Sequence, residues 1–267
     1  MPERPNRSSG HQTGSDYFAR QADRYSRHRP LYPDELFAIL AQLCRSHELA
    51  WDVGTGSGQA AGGVARHFER VLATDASEEQ IAHARPHPNV TYRCAPSHSS
   101  GLNDATVDLV TVATALHWFD LDAFYAEVRR VLRPAGVIAV WGYQDTSVTP
   151  AVNEVLMRYR REIVGGDWAF QVRLLTERYR TIPFPFEEIT PPGHLVACAD
   201  MALDDVIGYL ESWSATQRHR ERTGRDPIDV IRSDLTAAWG DPQTIRPVQW
   251  PLFVRIGRNS AGARAGG

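Results

Sequence analysis

Apolar and polar positions follow two rhythms along the chain. Short runs at 49–53, 70–74, 89–93, 107–113 and 137–141 are mostly or wholly apolar and predict strands. Helix-length segments at 58–67, 77–84 and 121–132 separate most of them. Strands that are apolar on both faces and alternate with helices predict a parallel sheet covered on both sides. Upstream, a charged segment at 16–28 predicts a surface lid helix, interrupted by Pro30 and Pro33. Pro33, Asp34 and Glu35 then predict the first turn of a helix to about 46. After 147 the rhythm changes: a helix is predicted at 152–163, followed by an aromatic, Pro-rich stretch (168–192) with no clear period. A strand is predicted at 194–199. Leu203, Val206, Ile207, Leu210 and Trp213 then form the stripe of an amphipathic helix. Helices at 214–222 and 227–239 and a final strand at 248–256 complete the pattern. The expected fold is α/β: a doubly wound, mostly parallel, seven-stranded Rossmann-like sheet with N-terminal lid helices and a helical insert before the last strand. Residues 1–14 and 258–267 read as a disordered leader and tail around a single domain at 15–257. That domain divides into a lid (15–46), a core (47–147), and a cap with the last strands (148–257).

Composition narrows the chemistry. With 42% hydrophobic and 23% charged residues, the chain is expected to bury an ordinary globular core. No apolar run approaches the roughly 18 residues of a membrane helix, and the polar opening lacks the apolar segment of a secretion signal. A formal charge of −3 gives no reason to expect a nucleic-acid partner. Cys44, Cys94 and Cys198 are scattered and odd in number, which suits a reducing cytoplasm better than a disulfide framework. All 29 basic residues are Arg. The absence of Lys excludes Schiff-base chemistry and the Lys of a phosphate-binding Walker loop. No G-x-S-x-G elbow is present. His83 and His87 have metal-pair spacing, but Pro86 and Pro88 break the helix such a pair needs, so no metal site is expected.

The segment that carries chemistry is Trp51-Asp52-Val53-Gly54-Thr55-Gly56-Ser57-Gly58-Gln59, where the first core strand turns toward its helix. Alternating glycines let the backbone turn tightly and approach a ligand, exposing N–H groups at a helix start. Ligands of a doubly wound sheet bind at the carboxyl ends of the strands, beside this turn. Asp75, ending the second strand, is placed to accept two ribose hydroxyl protons. Gly56-x-Gly58-x-x-Ala61 also satisfies a loose dinucleotide fingerprint, but that reading leaves Asp52 unexplained.

Acid-x-Gly-x-Gly-x-Gly resembles the glycine loop of class I S-adenosylmethionine (SAM) methyltransferases, of the methyltransferase type 11 kind. The resemblance extends to residues 103–110, to Ala115-Leu116-His117-Trp118-Phe119, and to residues 127–136, where Ala135 replaces the family's usual Gly. Tyr25-x-x-x-Arg29-Pro30-x-Tyr32-Pro33, Tyr179-x-x-Ile182-Pro183-Phe184-Pro185-Phe186 and Ala238-Trp239-Gly240-Asp241-Pro242 are similar to a subgroup that includes the fungal trans-aconitate methyltransferases. Residues 164–171 depart from that subgroup, so its substrate does not transfer by analogy. The resemblance implies SAM as cofactor. Asp52, Gly54, Gly56, Gly58, Asp75, Ala76, Ala95, Pro96 and Ser97 would hold it, with Tyr25 and Arg29 closing over its carboxylate.

The resemblance also implies a small-molecule acceptor, with a carboxylate or hydroxyl as one candidate for the methylated group, and leaves open whether O, N or C is methylated and the oligomeric state. His117 is a candidate base or acceptor-positioning residue, and Tyr179 a candidate for acceptor positioning. Trp168, Phe170, Phe184, Phe186 and Trp213 are further candidates to line the acceptor pocket, and Arg161, Arg173, Arg178 and Arg180 to clamp an acidic acceptor. Two alternatives stand beside methyl transfer. One is a cyclase converting SAM to azetidine-2-carboxylate and methylthioadenosine, which a pocket without room for an acceptor would favour. The other is an NAD-binding oxidoreductase.

Overall fold

A computed structural model describes residues 30–260 except Pro192. The expected leader, the helix at 16–28, Tyr25, Arg29 and the chain after 260 lie outside the described residues. The first described helix, α1 (Asp34–Leu43), starts one residue later than the sequence suggests: Pro33 is its N-cap, with extended backbone, and Asp34 and Glu35 occupy the first turn. The core then runs β1 (Leu49–Val53), α2 (Ala61–Val64), β2 (Arg70–Asp75), α3 (Glu78–Ala82), β3 (Val90–Cys94), β4 (Val107–Ala113), α4 (Leu121–Val131) and β5 (Leu132–Tyr143). The cap follows as α5 (Pro150–Arg158), a π-helical turn (Tyr159–Ile163), α6 (Val172–Thr176), β6 (Glu187–Ile189), β7 (Val196–Met201), α7 (Leu203–Glu211), α8 (Ser214–Thr223) and α9 (Arg232–Trp239). Strand β8 (Arg246–Arg258) comes last.

The sheet order is β3-β2-β1-β4-β5-β8-β6, with β7 also paired to β8, so it holds eight strands where seven were expected. The extra strand is β6, three residues long and only partly covered, too short to leave a periodic signal. Strands β1 to β5 are parallel, and β8 runs antiparallel to β5. Order reverses between β1 and β4, and the crevice there lies at the carboxyl ends of both strands. Burial explains the central strands: six of the seven residues of β4 are buried, and α4 covers one face with Phe124, Val128 and Val131.

Polar groups inside the sheet are paired, as burial demands. Trp51 Nε1 donates to Thr74 Oγ1 at 2.9 Å. Asp108 Oδ2 accepts from the backbone N–H of Glu48 and of Leu49, and its Oδ1 accepts from Arg133. One carboxylate thereby fixes the start of β1 against β4.

Strand β8 joins the cap to the core. Its first half pairs with β7, from Met201↔Arg246 to Val196↔Pro251, and its second half pairs with β5, from Tyr143↔Leu252 to Val137↔Arg258. Trp250 lies near its middle, fully buried, with its ring against Tyr143 and Tyr209. The chain remains structured past the expected tail boundary: Asn259 is buried, and its amide donates to Leu132 O at 3.2 Å.

Asp108→Ala strips three donors of a buried acceptor. The expected loss of unfolding free energy is about 2–4 kcal/mol, read from urea denaturation. A loss below about 1 kcal/mol would mean that Asp108 does not hold β1 in place.

Candidate active site

The loop after β1 is shaped by what it touches. Gly54 (φ 65°) has no room for a side chain: an added Cβ would stand 2.7 Å from Ala115 Cβ and 3.0 Å from the Phe119 ring. Gly56 (φ 55°) adopts the left-handed conformation with open space beside it, the nearest atom to an added Cβ lying at 3.7 Å. The N–H groups expected to be exposed here are mostly taken within the protein. Thr55 N donates to Thr74 O, Gly58 N to Thr55 O, and Gly56 N to Asp75 Oδ2, each at 2.9–3.0 Å. The loop therefore offers close approach rather than a cradle for phosphate. Helix α2, four residues long, begins only at Ala61.

The two acids occupy different levels. Asp75 is half-buried and braces the loop, its second oxygen accepting from Ser77 N. It lines a cavity of about 260 Å³ together with Tyr32, Gly54, Gly56 and Gln59. Asp52 is fully buried beneath the loop and does not line that cavity. Its carboxylate accepts from Thr55 Oγ1 and Thr111 Oγ1, both at 2.6 Å, yet burial still pushes its pKa up to about 6.

A second cavity of about 420 Å³ adjoins the first, and Gln80, Thr114, Trp118 and Tyr143 line both. Thr114, at the end of β4, has φ 57°, a strained conformation for a β-branched residue. Its N–H donates to Trp141 O at 2.7 Å and its hydroxyl meets Tyr32 OH at 3.3 Å. Strain of this kind persists only where the surroundings over-determine it.

His117 lines the larger cavity from a 3₁₀ turn (Leu116–Trp118) and is 8% exposed. Burial pushes its pKa down to about 4, so the imidazole is neutral at pH 7. Its Nδ1 pairs with Tyr179 OH at 2.7 Å. Tyr179 is fully buried and stands behind His117, outside the cavity wall; Arg178 and Tyr179 both have left-handed φ (54° and 55°), which directs the phenol there.

The other expected residues separate. Ala76, Ala95, Pro96 and Ser97 lie beside the end of β2, where Ala95 N donates to Asp75 O at 2.9 Å, but they do not line either cavity. Gly58 packs under the Tyr92 ring. Of the aromatics, Trp168 and Trp213 line the larger cavity. Phe184 and Phe186 pack instead against Tyr125, within the apolar cluster that includes α4, and Phe170 is 75% exposed. None of Arg161, Arg173, Arg178 and Arg180 lines that cavity; Arg160 does. Sequence reasoning also passed over Gln59, Gln80, Thr114 and Tyr143. The rule that ligands sit at carboxyl strand ends would have found Thr114 and Tyr143.

Residues 51–140 match the methyltransferase domain family. A candidate methyltransferase of Dictyostelium discoideum is 32% identical over 251 residues, spanning 91% of this chain and 95% of the relative. A solved structure of a candidate type II methyltransferase from Anaeromyxobacter dehalogenans is 44% identical and superposes with a TM-score of 0.81 over 86% of this chain and 98% of that one. The chain is a class I SAM-dependent methyltransferase. CRG1 of Saccharomyces cerevisiae, named as an S-adenosylmethionine-dependent methyltransferase, is a more distant relative at 27% identity over 89% of this chain and 95% of its own.

SAM is therefore the cofactor of this methyltransferase, and the cavity beside Gly56 fits it. Gln59 Nε2 and Gln80 Oε1, both buried on residues that line that cavity, have no partner among the described residues. Both alternative readings lose ground on the geometry. A dinucleotide's pyrophosphate would meet N–H groups already taken and the carboxylate of Asp75. The cyclase reading called for a pocket with no room for an acceptor, and a 420 Å³ cavity adjoins the cofactor side. Among the described residues no helix is long and apolar enough to cross a membrane.

Asp52 and His117 make opposite contributions to stability over nearly the same pH range. The folded state holds the Asp52 proton up to about pH 6 against 3.8 for the reference carboxyl, so this group's contribution falls as pH rises from 4 to 6. The folded state refuses the His117 proton down to about pH 4 against 6.5, so that contribution is lost as pH falls from 6.5 to 4. Stability–pH curves of Asp52→Asn and His117→Asn, each subtracted from wild type, should slope in opposite directions by roughly 2–3 kcal/mol across pH 4–6.5. Parallel difference curves would refute these assignments.

Proposed function

We propose that the methyltransferase transfers the SAM methyl group to a small-molecule acceptor through an oxygen nucleophile, a carboxylate or a hydroxyl. The observation that carries this reading is the pair of adjoining cavities with a common wall of Gln80, Thr114, Trp118 and Tyr143. When bound, SAM supplies a methyl group activated by the sulfonium charge, which leaves the chain to orient the acceptor and exclude water.

On this reading Asp75 accepts from the ribose hydroxyls while its other bonds hold the loop. Gln59 and Gln80 offer their amides, and the loop glycines admit the cofactor. Asp52 adds negative charge from beneath Thr55, opposite to the charge of the cofactor's amino end. Tyr25 and Arg29, which the sequence resemblance implies close over its carboxylate, lie outside the described residues.

His117 positions the acceptor rather than deprotonating it. A group whose conjugate acid has a pKa of about 4 is a weak base at pH 7, and a carboxylate acceptor arrives already ionised. Tyr179 fixes the ring of His117 from behind. The flanking motifs around Tyr32 and Tyr179 favour the subgroup that includes the trans-aconitate methyltransferases. The free cysteines Cys44, Cys94 and Cys198 favour a reducing cytoplasm.

Calorimetry with SAM and with NADH tests the cofactor site. One SAM per chain and no heat from NADH are expected, with Asp75→Asn weakening SAM about tenfold or more through loss of charge-assisted hydrogen bonds. Mass spectrometry after incubation with SAM alone should return it intact. NADH binding, or methylthioadenosine above an enzyme-free blank, would overturn the reading.

A further inference from the structure

We propose that Arg160 is the acceptor-recognition residue of the larger cavity and selects small acceptors that carry a carboxylate. The proposal rests on the methyl-transfer reading for what the cavity holds, and on Arg160's surroundings for the charge of that occupant.

The local backbone explains why this arginine, among its neighbours, reaches the cavity. Helix α5 does not end in an ordinary turn: the chain widens into the π turn, with Val164 N donating to Tyr159 O at 3.0 Å. Turns of this kind are rare and frequent at functional sites. Arg160 follows its first residue and lines the cavity, while Arg161 is exposed.

The guanidinium is packed but only partly compensated. Its side chain is 19% exposed, and burial disfavours its charge. The Trp168 ring lies under it at 5.8 Å, and Nη1 donates to Gln144 O at 2.8 Å. The Gln144 amide is satisfied when its oxygen accepts from Arg160 Nη2 at 2.5 Å. Among the described residues its one carboxylate neighbour is Asp145 at 3.4 Å, itself 70% exposed and therefore a weak, solvated counter-charge. Five N–H donors thus meet a carbonyl, an amide oxygen and one long ionic contact, which leaves capacity for a further acceptor. A planar fork beside a cavity with this capacity matches a carboxylate.

The rest of the lining fits a small organic anion. Trp168, Trp213, Val172 and Leu175 provide apolar walls, and His117 is neutral at pH 7. Glu79 is the one acidic side chain in the wall; it belongs to α3, next to Gln80, which lines both cavities, and it makes no ion pair with Arg160 among the described residues. An occupant held at Arg160 lies beside Tyr143 and Gln144, at the margin of the wall through which the methyl group must pass.

Calorimetric titration of the full chain loaded with S-adenosylhomocysteine tests this, using benzoate, cinnamate and hexanoate as probes, each against its primary amide. At least one carboxylate should bind one per chain and exceed its amide about tenfold or more. Arg160→Gln should abolish that preference, Arg160→Lys should keep part of it, and Arg161→Gln should behave as wild type. S-adenosylhomocysteine affinity should be unchanged in all three variants. Equal binding of carboxylate and amide by the wild type overturns the proposal whether or not the variants fold. So does undiminished carboxylate binding by Arg160→Gln, or no binding of any of the three carboxylates. Failure to bind S-adenosylhomocysteine would count against the methyl-transfer reading instead, and the same titration of the unloaded chain would still decide on Arg160.

Discussion

The end of β1 and the segment after β4 are pressed together so closely that no side chain fits between them. Gly54 stands where any Cβ would strike Ala115, and one residue layer below, Asp52 draws in Thr111 from β4 and Thr55 from the loop. The geometry of the glycine loop depends on that contact. The loop is held low, Asp75 braces it from β2, and the chain after β4 is forced into the left-handed turn at Thr114. Thr114 then lies in the wall common to both cavities. The sheet's topological reversal supplies the crevice, and this contact lies beside the wall common to its two cavities.

The second compartment exists because β8 belongs to two structures at once. Its pairing to β5 completes the core, while its pairing to β7 carries the cap, with Trp250 packed at the join. Cap residues Trp168, Tyr209 and Trp213 can therefore face core residues His117 and Tyr143 across a defined gap. A cap tied only by loops would pay a larger ordering cost each time an acceptor bound.

Burial works against the charged form of three groups near the crevice. Asp52 bears a buried charge, His117 is held neutral, and Arg160 is held charged against burial. Each is unfavourable for the fold in isolation, and each has neighbours that limit the cost: two threonines, a tyrosine, and a tryptophan with a glutamine. Such groups concentrate where function rather than stability sets the residue. The paired acids and bases elsewhere, such as Asp167 held by Arg222 and His219, contrast with them because their partners are complete and close.

The sequence by itself determined the parallel core, the position of the glycine loop and the cofactor. These depend on short-range features: apolar runs set strands, and glycines with a preceding acid set the turn. Even the expected ends of β1 and β4 agree with those observed, because a strand buried on both faces ends where its apolar run ends. The tertiary structure decided the rest. Whether the loop's N–H groups were free depended on Asp75 and on Thr74's carbonyl, which come from another strand. Which arginine reached the cavity depended on a π turn, which leaves no period in the sequence. Of the aromatics at 168–186, Trp168 faces the crevice while Phe184 and Phe186 enter the core on the far side of the sheet. That choice rests on where β6 and β8 place the chain, and a side chain's hydrophobicity is the same on either side.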